Sequence, residues 1–189
     1  MLGLERLPPP VSAAIMHKKK GEAYMLNTLK IFCVVALFMT TSNSFAFEYQ
    51  YKKIDDFKTL ESFKFINEFE SSYKKYTQYC LDNTGGGSGG VPCFIGYEMW
   101  DRELNIYYNK LMKILGAKEK NLLKESQLAW IKERDKSIGF NSRLLDNKYT
   151  EPGTMYLLMR AGDADEMMTP VVKQRALVLK KWFEFVKQN

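Results

Sequence analysis

Four stretches of this chain repeat their apolar residues every three or four positions, and none alternates apolar with polar residues over a useful length. The first spacing builds the stripe that a helix buries, whereas a half-buried strand needs a period of two. The first stripe is Phe57, Leu60, Phe63, Ile66, Phe69, Tyr73 and Tyr76, with Asp55 or Asp56 as cap, and it runs to Cys80. Pro92 suits the first turn of a second helix, whose stripe is Trp100, Leu104, Tyr107, Tyr108, Leu111 and Leu115, with Gly116 as its stop. A third helix is expected from about Lys118 to near Arg143, carrying Leu122, Leu123, Gln127, Trp130, Ile131, Arg134 and Ile138 on one broad face. Residues 144–154 read as a looser connection and 154–168 as a short helix. Thr169 and Pro170 read as the cap and first position of a last helix with Val171, Val172, Leu177, Leu179, Trp182 and Val186. The expected fold is all-α, a small bundle of about four helices.

A chain of 189 residues with 46% apolar content supports one such core. Its first 46 residues read as absent from the working protein. From Met25 a short basic start leads into the apolar run Ile31–Met39, then into polar residues ending with Ser44 and Ala46, small residues at positions suited to cleavage. That is a secretory signal peptide over 25–46. Its apolar run is well short of the roughly 18 residues of a membrane span. Cys33 lies inside that run without the small residues that precede a lipidated cysteine. Residues 1–24 read either as translated from a start placed too early or as a disordered extension. The codons available for Lys19-Lys20-Gly21-Glu22 permit a purine-rich ribosome-binding sequence just before Met25. The domain is then 47–189, periplasmic or secreted.

Without the leader, 23 basic and 20 acidic residues remain, a net charge of +3. These charges are interspersed and form no stripe, which removes the case for a nucleic-acid partner. The only histidine is His17, so the domain from 47 onward has no imidazole for Ser-His-Asp or Cys-His catalysis or for a His-containing zinc site. Its two cysteines, Cys80 and Cys93, read as a disulfide in an oxidising compartment. In the chain-entropy picture a loop of that length gains roughly 3 kcal/mol. The run between them, Gly85, Gly86, Gly87, Ser88, Gly89 and Gly90, lacks the lysine and strand of a phosphate cradle and reads as a flexible connector.

Polar residues stand inside the helical stripes. Trp100, Asp101, Leu104, Asn105 and Tyr108 lie on the second helix, and Gln127, Trp130, Arg134 and Asp135 on the third. Amides and a guanidinium on half-buried faces need partners, and two antiparallel helices joined at Gly116 would offer them to one another. The expected role is to hold register. A catalytic reading would pair carboxylates among Glu98, Asp101, Glu103 and Asp135, but no spacing selects a pair. No catalytic residue, cofactor or metal ligand is assigned, and the chain is read as a non-enzyme.

The same residues carry a resemblance. A cysteine, then Leu104-Asn105 and Tyr108, then Gln127, Trp130 and Arg134-Asp135, then Arg175, Ala176 and Leu179, is similar to the lysozyme inhibitor LprI-like N-terminal domain family over about residues 80–179. The resemblance implies an all-helical envelope domain that inhibits a lysozyme-type glycosidase, and it adds Arg175 to the register network. Many members keep a second cysteine pair. Here Ile138 and Met167 stand near those places, which implies an apolar contact instead.

The physical route implied is occlusion of the enzyme cleft. The loop between the cysteines, from Leu81 to Pro92, is the candidate element, because covalent closure lowers the cost of ordering a binding loop. A net +3 chain and a typically basic lysozyme repel at long range, so an acidic patch of Asp163, Asp165 and Glu166 is the second candidate contact. A periplasmic structural or binding module without inhibitory activity is the alternative reading. If the leader is cleaved as read, N-terminal sequencing of the protein recovered from the envelope should begin at Phe47. A chain that still begins at Met1 would contradict it.

Overall fold

The computed structural model describes residues 49–188, which fall within one compact unit, 46–189. The leader, with His17 and Cys33, and the start at Phe47 lie outside the described residues. The described chain runs through short 3-10 turns at Ile54–Asp56 and Leu60–Ser62, then α1 (Ile66–Asn83), a 3-10 segment (Gly87–Cys93), α2 (Gly96–Ile114), α3 (Ala117–Lys148) and α4 (Thr154–Lys187). There is no strand among the described residues. The fold is the expected all-α bundle of four α-helices, with a disulfide between Cys80 and Cys93.

The chain before α1 departs from expectation. The positions 57, 60, 63, 66 and 69 are each three apart, and on an α-helix such a row drifts by about 60° per step. The structure resolves the conflict with an extended strap broken by two 3-10 turns, and α1 begins only at Ile66. There Glu68 reaches back to accept the backbone N–H groups of Lys64 and Phe65 at 3.1 and 3.2 Å. Asp55 and Asp56 lie within the first 3-10 turn and cap no α-helix. The strap still buries Phe57 and Leu60 in the main core, so the apolar pattern reports burial correctly but not conformation.

The core is centred on α2, whose Met99, Trp100, Leu104, Tyr107 and Leu111 are all at most 2% exposed. The ring of Trp100 meets Phe69 of α1 edge to face at 5.1 Å, and its Nε1 donates to the Tyr73 hydroxyl at 3.2 Å. Val172, Ala176 and Leu179 of α4 close the other side. Tyr97 lies beside Asp165 at one end and Tyr107 beside Phe183 at the other, so α2 and α4 run in the same direction. The long α3 returns the chain between them.

Three helix boundaries differ from expectation. Pro92 belongs to the 3-10 segment and α2 starts at Gly96; at its other end α2 closes at Ile114 with Leu115 as C-cap, so Gly116 stands just past it as expected and also serves as the N-cap of α3, its carbonyl accepting from Lys120. α3 continues past Arg143 to Lys148, because Leu145 is buried and its carbonyl accepts Tyr149 N–H at 2.8 Å. α4 is one helix from Thr154, with Pro170 in its interior. An interior proline costs about 3 kcal/mol. Burial of Met168, Val172, Ala176 and Leu179 on both sides of it offsets that cost, at about 1.5–3 kcal/mol for each larger apolar side chain. Thr169 therefore caps nothing; its hydroxyl donates to Asp165 one turn earlier, at 3.3 Å.

Ile138 is half-buried and Met167 is 45% exposed, and neither belongs to the packed core. Trp100→Ala should cost about 3–5 kcal/mol in urea unfolding. A loss below about 1 kcal/mol would contradict the central place given to this ring.

Candidate functional site

Two features bear on function: the polar contacts that set α2, α3 and α4 against each other, and the disulfide loop with the surface around it. In the first, Asp165 of α4 serves as an N-cap for α2 from outside it, accepting Tyr97 N–H at 2.7 Å. Gly96 makes this possible. A Cβ at that position would lie 2.6 Å from Asp165 Oδ2 and 2.9 Å from Thr169 Oγ1. Burial raises the Asp165 carboxyl above its ordinary range, and the bonds from Tyr97 and Thr169 oppose the shift only in part.

The expected register residues divide into separate groups. Asn105 bonds within α2, to Asp101 O at 2.9 Å and Asp101 Oδ2 at 3.0 Å. Gln127 on α3 accepts from Arg175 of α4 at 3.0 Å, and Arg175 also reaches Ser126 Oγ at 3.0 Å. Trp130 is half-buried, with the guanidinium groups of Arg134 and Arg175 at 5.4 and 5.9 Å from its ring. Arg134 pairs with its neighbour Asp135 at 2.6 Å, and its charge partly offsets the burial that raises the Tyr97 and Asp101 groups of α2. The network thus runs mainly between α3 and α4, with Arg134 as its link to α2. Trp100, Leu104 and Tyr108 are core residues.

A further clasp lies where no expectation placed it. Arg102 donates to the carbonyls of Ile54, Phe57 and Lys58 at 2.6, 2.9 and 3.0 Å, and so pins the strap to α2. Glu103 holds that guanidinium at 2.8 Å from a fully buried position, and burial raises its carboxyl. The signal was in the spacing, since Glu103 sits three residues after Trp100 and four before Tyr107, on the buried stripe.

The disulfide loop is not the flexible connector expected. Gly85, Gly86 and Gly87 have φ of +68°, +77° and +57°, which other residues adopt at a cost, and the chain then enters the 3-10 segment. Gly90 is buried, and a Cβ there would lie 2.6 Å from Leu158 of α4 and 2.9 Å from Leu81. The Tyr51 hydroxyl of the strap donates to Gly89 O at 2.6 Å. Only Gly85 and Ser88 of this run are exposed. Gly87 abuts Thr154, so these two lie at the same end as the start of α4, where Met155 and Leu157 are 58% and 51% exposed.

The acidic patch does not assemble. Asp163 accepts from Lys148 at 2.5 Å and from Tyr149 at 2.7 Å, and those bonds lower its carboxyl. Asp165 faces α2, and only Glu166 is exposed. Among the described residues, no group of three or more His, Cys, Asp or Glu side chains is placed to hold a metal ion.

The arrangement is a disulfide-stapled helical domain whose polar groups mainly fix its own helices. Residues 95–177 match the family model for lysozyme inhibitor LprI, in agreement with the motif resemblance. The matched span begins just before Gly96 and ends just after Arg175 and Ala176, so it contains both the α2 cap and the α3–α4 network. No curated protein and no solved structure matches the chain.

Buried carboxyls give the fold a defined pH response. Asp101, Glu103 and Asp165 hold their protons more tightly folded than unfolded, so stability falls as pH rises through their raised values and recovers as pH falls toward the ordinary carboxylate range. The melting temperature should therefore rise as the pH is lowered from neutrality toward the ordinary carboxylate range, and Asp165→Asn should flatten the rise. A melting temperature that falls steadily on that approach would contradict the burial of these groups.

Proposed function

We propose that the domain from residue 47 onward acts in the bacterial envelope, outside the cytoplasm, as a protein inhibitor of a lysozyme-type glycosidase and performs no chemistry of its own. The match of residues 95–177 to the lysozyme inhibitor LprI model is the observation that carries this reading. Among the described residues no helix is long and apolar enough to cross a membrane, which is compatible with action as an exported domain.

Inhibition proceeds by occlusion, through the end of the molecule formed by the tip of the disulfide loop and the start of α4. Gly85 and Ser88 present backbone and hydroxyl groups there, with Met155 and Leu157 exposed beside them. The loop is fixed by the Cys80–Cys93 bond and by its seat against Leu158 and Thr154, so little ordering cost remains on binding. With Asp163 and Asp165 engaged inside the domain, attraction through an acidic patch plays no part. Shape and apolar contact at this end carry the affinity.

The test is lysis of peptidoglycan by lysozymes of several classes with stoichiometric purified protein. Competitive inhibition is expected, unchanged by chelators. The variant Ser88→Arg with Met155→Arg, both at exposed positions, should keep its helical signal and lose at least tenfold in affinity, since two buried unpaired charges cost more than 1.4 kcal/mol. Full inhibition by that variant would move the contact elsewhere. No inhibition of any lysozyme class by the intact protein would leave an envelope binding module without inhibitory activity.

A further inference from the structure

Charges that are interspersed along the sequence are gathered by the fold at one end of the molecule. Glu61 of the strap pairs with Lys110 of α2, and Tyr107 and Lys110 both stand against Phe183, so the strap and the last turns of α2 and α4 come together. Arg175 meets Ser126 and Gln127, so α4 beyond that point lies beside the first turns of α3. The disulfide loop sits at the other end of α4, about 50 Å away at 1.5 Å per residue.

Residues 60–66, 110–125 and 180–188, which form this end, hold nine lysines and four glutamates. The rest of the domain from residue 47 holds 14 basic and 16 acidic residues, so the whole positive excess of the domain lies here. Glu61 and Glu184 are already matched, by Lys110 and Lys180. Lys64, Lys113, Lys118, Lys124, Lys181 and Lys187 are exposed and make no ion pair among the described residues.

The same end exposes large apolar side chains. Phe65, Ile114, Leu122, Trp182 and Phe185 are all exposed, Phe185 to 69%. They alternate with the lysines: Lys118 and Leu122 are four apart on α3, and Lys181 and Phe185 four apart on α4, so charge and apolar surface share the same helix faces. A soluble polyanion would use the lysines and leave the rings and aliphatic groups in water. A lipid surface takes both, with apolar groups sinking below the headgroups while ammonium groups stay level with the phosphates. Four to eight clustered lysines are the usual basis of such attraction, and tryptophan favours that interface.

We infer that this end docks on an anionic phospholipid surface, with Leu122, Ile114 and Trp182 inserted among the headgroups and the six unpaired lysines around them. The contact is peripheral and reversible. It does not depend on inhibition of a glycosidase, and it would turn the disulfide loop away from the membrane.

Cosedimentation of the processed protein, beginning at Phe47, with phosphatidylcholine vesicles containing about 30% phosphatidylglycerol tests this in about 0.1 M salt. Half-saturation is expected on the order of 100 µM lipid, with at least about tenfold weaker binding to vesicles of phosphatidylcholine alone. Trp182 is the most exposed of the three tryptophans, so emission should move to shorter wavelength on binding, and Trp182→Phe should remove most of that shift. Lys118→Glu with Lys181→Glu should weaken binding by at least about tenfold, and Ile114→Ser with Leu122→Ser by about as much. All four side chains are exposed, so both variants should keep their melting temperature. No sedimentation at about 1 mM lipid would overturn the inference, as would equal binding to the two kinds of vesicle or undiminished binding by the charge variant. Undiminished binding by the apolar variant, or an unmoved emission, would also overturn it, by leaving only the attraction of lysines for a polyanion.

Discussion

The first turn of α2 packs on the Asp165 and Thr169 side chains of α4, which a Cβ at Gly96 would displace, and much else follows from that approach. It puts the Asp165 carboxylate within 2.7 Å of the Tyr97 amide, so a helix that begins with no capping side chain of its own is capped by its neighbour. It fixes α2 and α4 in parallel, with the intervening α3 making the return. Once α2 is held there, its buried face has α4 on one side and the rings of α1 on the other, with Trp100 touching both sets.

The other polar contacts fasten peripheral parts to that seam. Arg102, steadied by buried Glu103, takes three strap carbonyls, which brings Phe57 and Leu60 into the core. Arg175 holds α3 through Gln127 and Ser126. The disulfide loop is set against α4 by Leu158 and Thr154. This division of labour leaves both ends of the molecule open: one with the loop tip and the start of α4, the other with the exposed lysines and rings around the end of α4.

The fold class was legible because burial in a helix writes a 3.6-residue period, and α2 shows it plainly from Trp100 to Leu111. The strap misled because its strict three-residue spacing, read as a helix, belongs to an extended segment with 3-10 turns. Thr169-Pro170 misled for a different reason. The local signal for a helix start is genuine, but packing at Val172 and Ala176 overrides it and carries α4 through the proline. The glycine run hid its own order, since composition does not show that Leu81 and Leu158 close over Gly90.

At the candidate site the motif residues were legible one by one and their partners were not. Gln127 and Arg134 are buried as their places on the stripe require, yet Gln127 is met by Arg175, 48 residues away, and not by the adjoining helix. Asp163 and Asp165 look alike in sequence, and the turn of α4 sends one to Lys148 and the other to the start of α2. Contacts so distant in the chain depend on how three helices cross, which no local spacing records.

Native-state hydrogen exchange tests the primacy of the α2–α4 seam most directly. Amides from Met99 to Leu111 and from Val172 to Leu179 should exchange only through global unfolding, while those of α3 from Lys136 to Lys148, farther from that core, should open at lower free energy. Slower exchange in that part of α3 than in α2 would contradict the account, because the bundle would then be organised around the hairpin of α3 and α4.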